Sequence, residues 1–199
     1  CGGVMTMTWG KYVTSVLLCL LCACSPEKPA FKAIDLTGAD YAQGFTLPDQ
    51  FGRVRTLADF KGKVVVVFFG YTQCPDFCPT TLSEWVQVKQ SLGDKAEALQ
   101  AVFITLDPER DTPALLKGYM ANFDPGFLAL VPTLEQLPEL AKHFKVYYKK
   151  VPSTVAGSYT MDHSAGTYVY DTQGRLRVYS RYGTPAEQLA QDVQSLLDE

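Results

Sequence analysis

The sequence is poor in three things, and each shortage closes off a class of function. Basic charge is the first: 18 lysines and arginines stand against 21 aspartates and glutamates, for a formal net charge of −3. Nucleic-acid binding draws on cationic surface to neutralise phosphates, so no nucleic-acid partner is expected. Long apolar runs are the second. The longest begins at Val13 and ends at Ala23, with Thr14 and Ser15 inside it, and falls short of the roughly 20 apolar residues with which a helix crosses a bilayer. Histidine is the third, with only His143 and His163 present, which excludes a metal site built from several imidazoles. Internal repeats and low-complexity tracts are missing too, whereas 47% apolar and 12% aromatic content is ample for one buried core.

Lys11 is the only charge ahead of the run from Val13 to Ala23, which fits the start and centre of an export signal, and LCAC at 21–24 resembles a bacterial lipobox. On that reading residues 1–23 are an N-terminal extension and signal, and Cys24 becomes the lipidated first residue of the mature chain. The folded part is then held at a membrane of a bacterial cell envelope, facing the periplasm or the outer side. An uncleaved hydrophobic anchor is the alternative. The residues CGGV before Met5 are set aside from the fold. Residues 24–43, with two prolines and few large apolar side chains, read as a tether, and 44–199 as the domain. Of six cysteines, Cys1, Cys19, Cys22 and Cys24 belong to the N-terminal region, which leaves Cys74 and Cys78. Two cysteines do not make a disulfide-stapled scaffold.

Within the domain, FTLPDQFGRVRTLADFKGK suggests a short hairpin around the Asp49–Gly52 turn. VVVVFFG at 64–70 is a continuous β-branched and aromatic run of the kind that forms a strand buried on both faces. A helix follows from Pro79, with Leu82, Trp85, Val86 and Lys89 at helical spacing; AVFITLD at 101–107 is a second buried strand. Thr112 caps a helix that has Pro113 at its first position, and TLEQLPELAKHF is helical despite Pro138. KVYYKKV is extended, GTYVYD and LRVYSRYG make a hairpin turned by Gly174, and an amphipathic helix carrying Leu189, Val193, Leu196 and Leu197 ends the chain. This element order predicts an α/β fold, a thioredoxin-like sandwich with a central mixed sheet, helices on both faces and an extra N-terminal hairpin.

The cysteines follow the first buried strand, at the carboxyl edge of the sheet, where such folds keep their chemistry. Their spacing of four places both sulfurs within reach of one ion or of each other if the segment is helical. Cys78, expected just ahead of the helix, sits where backbone amides and the helix dipole favour a thiolate. Three uses are open: thiol exchange, metal binding and an inert bridge. Thioredoxin-type exchange normally has two intervening residues, and a bridge over so short a loop would constrain the unfolded chain little. A metal needs a third ligand. His163 lies just before the strand expected beside the first buried strand, so it can overhang the same edge, whereas His143 reads as a surface or half-buried helix residue. Two thiolates and one imidazole suit Cu(I), and Cu(II) with an added weak ligand; zinc normally takes a fourth ligand. Met161 is a conceivable axial ligand but fits core packing better, and Asp76 and Asp162 are ordinary loop acids beside the site. In TLDPERDTP, Asp111 and Thr112 are expected to cap the next helix and Arg110 to pair with an acid; a docking rim is the other reading.

The stretches GYTQCPDFCPTTL, TLDPERDTP and YTMDHSAGTYVYD, met in this order within residues 44–197, together resemble the Sco/SenC family of copper-binding, thioredoxin-like assembly proteins. The resemblance places copper, as Cu(I) or Cu(II), on Cys74, Cys78 and His163. It implies a metallochaperone whose partner is the copper A subunit of cytochrome c oxidase, with another protein as copper donor. The alternative it carries is a thiol:disulfide reductase in which Cys74 and Cys78 are a redox-active pair, able to form a disulfide, that keeps the oxidase cysteines reduced. Many relatives carry a transmembrane helix where this chain has a lipobox-like signal.

Overall fold

Ile34–Asp35 (β1) opens the fold by pairing antiparallel with Leu176–Ser180, near the other end of the chain. The structure is a computed structural model and describes residues 2, 3, 30–153 and 157–199. It divides into Cys1–Ala30 and Phe31–Glu199. Cys24 and the segment expected to be an export signal lie outside the described residues. Among the described residues no helix is long and apolar enough to cross a membrane.

The tether expected over 24–43 does not extend to 43. From Phe31 the chain is docked: Phe31, Ala33 and Leu36 pack against the core, and Ala42 is fully buried. The buried Asp192 carboxylate accepts from Lys32 N at 2.7 Å and Ala33 N at 2.9 Å. A two-residue edge strand held by a distant carboxylate leaves no periodic signal, which is why composition alone assigned it to the linker.

Thr46–Pro48 (β2) and Val54–Thr56 (β3) form the expected hairpin. Asp49 Oδ1 fixes its turn by accepting from Phe51 N and Arg53 N, both at 2.9 Å. Val64–Gly70 (β4) is buried at every position. It is followed by Phe77–Ser91 (α1), Leu99–Thr105 (β5) and Pro113–Ala121 (α2). Thr112 Oγ1 caps α2 by accepting from Leu115 N. Leu128–Leu130 (β6) precedes Leu137–Phe144 (α3), and Pro138 is harmless because α3 begins beside it, where a proline lacks no needed donor. Tyr148–Pro152 (β7) and Tyr159–His163 (β8) pair with each other; Thr167–Tyr170 (β9), Leu176–Ser180 (β10) and Ala186–Leu197 (α4) complete the chain.

The central sheet runs β1-β10-β9-β4-β5-β6. β4 is parallel to β5, β5 is parallel to β6, and β9 is antiparallel to β4, so the sheet is mixed as expected. Alternation along β4 divides the layers. Gly70 and Phe68 face α1, which packs with α4, while Phe69 meets Phe144 of α3 edge-on at 5.0 Å on the opposite face. The pair β7–β8 lies outside this sheet and carries His163 at its end.

Candidate metal centre

The chain leaves the buried strand β4 at Gly70 and turns through 71–76 into α1. This brings Cys74 onto a loop and Cys78 into the first turn of the helix, rather than just ahead of it. Both sulfurs are free thiols, and both residues are buried, at 6% and 2% exposure. His163 joins them from β8, and one donor atom from each of the three residues lies within 4.8 Å of the other two. The three sequence candidates thus converge, because β9 pairs beside β4 and the residues preceding β9 must cross the edge that the cysteine loop occupies.

The imidazole is oriented from behind. Its Nδ1 lies 2.8 Å from the Ser164 carbonyl oxygen, which can only accept, so Nδ1 carries a proton and Nε2 is left for the sulfurs. The Tyr71 ring stands edge-on to the imidazole at 5.9 Å. Cys78 is fixed by close packing. A β-carbon on Gly70 would lie 2.4 Å from its Sγ and 2.8 Å from the Phe103 ring, so only glycine fits there. A groove of about 370 Å³ opens over Cys74 and His163, with Tyr71, Pro75, Phe77 and Met161 among its walls.

The two thiols are not equivalent, and the thiolate that helix position favoured on Cys78 falls on Cys74 instead. Cys74 is held far below the ordinary thiol range, chiefly by the hydrogen bond from the Cys78 thiol, with further help from the His163 ring and the backbone amides of Asp76 and Cys78. Cys78 is pushed far up by sharing its proton with Cys74 and by burial. The thiolate therefore resides on Cys74, since amides converge on the loop sulfur while Cys78 sits deeper against Gly70 and Phe103.

Met161 is buried against the core, as expected, and also lines the groove. Asp76 and Asp162 are exposed and stand outside the three-donor group. His143 is remote in role: its Nε2 accepts from Gln43 N at 2.9 Å and anchors the segment before β2. The reading of Asp111 as a helix cap is corrected. Fully buried, it accepts from Thr72 N at 3.1 Å, Thr72 Oγ1 at 2.5 Å and Thr105 Oγ1 at 2.6 Å, bracing the chain two residues before Cys74. Burial raises its pKa. Neither Asp111 nor Gly70 was identifiable as part of the site from sequence, although DPERD was dense enough in charge to draw notice.

The family profile described as SCO1/SenC matches residues 35–198. The chain belongs to the SCO1/SenC family. The mitochondrial protein SCO2 homolog of Bos taurus is 39% identical over 161 residues, which are 79% of this chain and 60% of that protein. The SCO2-like protein of Rickettsia felis is 35% identical over 162 residues, 80% of this chain and 79% of its own length. Among solved structures, that of Bradyrhizobium japonicum ScoI with copper bound is 41% identical, with a TM-score of 0.69 over 76% of this chain and 96% of that one. The thioredoxin-like fold expected from sequence is the fold of this SCO1/SenC chain.

Proposed function

We propose that this SCO1/SenC chain carries copper as cargo on Cys74, Cys78 and His163 and hands it to the copper A subunit of cytochrome c oxidase during assembly. One observation carries the reading: two reduced sulfurs and one imidazole, remote in sequence, converge within 4.8 Å. An ion central to a triangle of that side lies about 2.8 Å from each corner, so ligand bonds of roughly 2.0–2.3 Å need only a small contraction. The donor set fits the ion, since soft thiolates with one imidazole suit Cu(I) in a three-coordinate site, and an added weak ligand accommodates Cu(II). Copper bound to the Bradyrhizobium relative supports the same cargo. Another protein supplies the copper, and the chain works at the bacterial cell envelope, anchored through lipid on Cys24.

A second reading, thiol:disulfide exchange that keeps the oxidase cysteines reduced, is favoured by the inequality of the thiols: a thiolate on Cys74 attacks and Cys78 resolves. The two activities compete, because a Cys74–Cys78 disulfide removes two of three ligands. The deciding experiment is anaerobic copper titration of the reduced full-length protein beside His163→Ala. One copper per chain, weakened strongly by loss of His163, is expected; binding indifferent to His163 together with rapid thiol exchange makes it a reductase. For the anchor, Cys24→Ser is expected to abolish a lipid mass found on the membrane-fraction protein, and persistence of that mass refutes it.

A further inference from the structure

The hairpin β7–β8 bears His163, yet it is a two-stranded sheet separate from the six-stranded one. Two strands alone are marginally stable in water, so the position of the imidazole depends on what fastens the hairpin to the domain. Much of that fastening comes from one turn, 107–111, after β5. Arg110 Nη1 donates to Tyr159 O at 2.9 Å and Tyr159 OH donates to Asp107 Oδ1 at 2.7 Å, whereas the exposed pair of Lys150 with Glu109 on the same turn adds little.

Arg110 is the centre of this turn's contacts. Its guanidinium carbon lies 3.6 Å from the centroid of the Tyr159 ring and 5.8 Å from that of Tyr71, the ring that meets His163. Its Nε pairs with the buried Asp107 carboxylate, and its Nη1 also donates to Gln73 Oε1 at 3.0 Å, next to Cys74. Its Nη2 is buried and has no hydrogen-bond partner among the described residues. An arginine that leaves a donor unpaired inside the protein costs stability locally, and such exceptions call for a reason. Planarity supplies one: a single fork touches the cysteine loop, β8 and its own turn at once, which the point charge of a lysine cannot reproduce.

We propose that Arg110 is a positioning residue that clasps the His163 hairpin to the Cys74 loop and so holds the imidazole over the two sulfurs before any ion arrives. The proposal rests on the reading of Cys74, Cys78 and His163 as copper ligands. It extends to the partners of those ligands the rule that groups orienting a ligand set its affinity. Glu109, whose carboxylate pairs with exposed Lys150, belongs to the same turn and, among the described residues, has no hydrogen bond or ion pair with the cysteine loop.

The test compares the full-length protein with Arg110→Met, Arg110→Lys, Glu109→Gln and His163→Ala. In the ion-free reduced state, amide hydrogen exchange over 159–163 is expected to accelerate in Arg110→Met while β4 and β5 exchange as in the parent. Copper(II) added to the same samples is expected to lose the nitrogen hyperfine signature of a bound imidazole. Copper(I) affinity is expected to fall by about ten- to a hundredfold, the range for groups that orient metal ligands. Glu109→Gln is expected to retain both. Parent-like hairpin exchange in Arg110→Met, or a parent-like nitrogen signature and affinity, overturns the clasp. If Arg110→Met does not fold, Arg110→Lys carries the same expectations and the same refutation. Should His163→Ala bind copper like the parent, the ligand reading fails separately, and hairpin exchange still decides whether Arg110 holds the hairpin.

Discussion

A β-carbon on Gly70 would sit 2.4 Å from the sulfur of Cys78, so the last residue of the central strand fixes how deep one metal-binding candidate can lie. Gly70→Ala forces that sulfur or the Phe103 ring to move. Overpacking of this kind costs about 1–3 kcal/mol. Thermal unfolding is expected to show the loss, and copper titration a weaker site; unchanged copper affinity would show that the Cys78 sulfur has room to shift.

The thiolate on Cys74 gives a pH signature. Between its depressed pKa and the ordinary thiol range, the folded protein binds fewer protons at this site than the unfolded chain does, so stability rises with pH across that window. The contribution is complete above the unfolded value and is lost as pH falls through the folded one. Cys78, shifted upward, opposes this only above the ordinary thiol range. Urea unfolding of the parent is expected to show this slope and Cys74→Ser to lack it. Alkylation of Cys74 is expected to be nearly independent of pH from about 6 to 8, where an unperturbed thiol accelerates steeply.

Asp111 accepts from two hydroxyls and an amide in a buried setting, so replacing one oxygen by an NH2 sets a donor against donors. Asp111→Asn is expected to destabilise by about 1–3 kcal/mol, measured by urea unfolding. Because Thr72 lies two residues before Cys74, copper affinity should fall as well. A variant as stable as the parent would contradict the bracing role.

Asp192→Ala tests where the domain begins. Its carboxylate holds Lys32 and Ala33 by their amides. Hydrogen bonds to a charged group contribute about 1.5–3 kcal/mol, and their loss should free β1 from the sheet edge. Limited proteolysis is expected to cut near residues 31–36 in the variant and to spare them in the parent.

Much of the fold was legible because its central strands are long and uniformly apolar. VVVVFFG at β4 and the Thr112–Pro113 start of α2 each state their structure locally. The convergence of His163 on the cysteines was legible too, since it follows from β9 neighbouring β4. Short edge elements were not. β1 has two residues and β6 three, below the length at which periodicity means anything. The pairing of KVYYKKV with YTMDH escaped notice because the two strands they form, β7 and β8, are short and bury only Met161, which leaves no alternating pattern to read. The thiolate favoured on Cys78 by helix position lies on Cys74 for a physical reason: it depends on which sulfur the amides of 76 and 78 surround, a property of loop shape that spacing does not encode.

The donors differ in access. Cys78 is the deepest, Cys74 little less so, and His163 half-buried at the groove. Anything that approaches the three donors therefore meets the imidazole side before either sulfur. Approach to the three donors thus has one direction built into it, over the imidazole and down to the deepest sulfur.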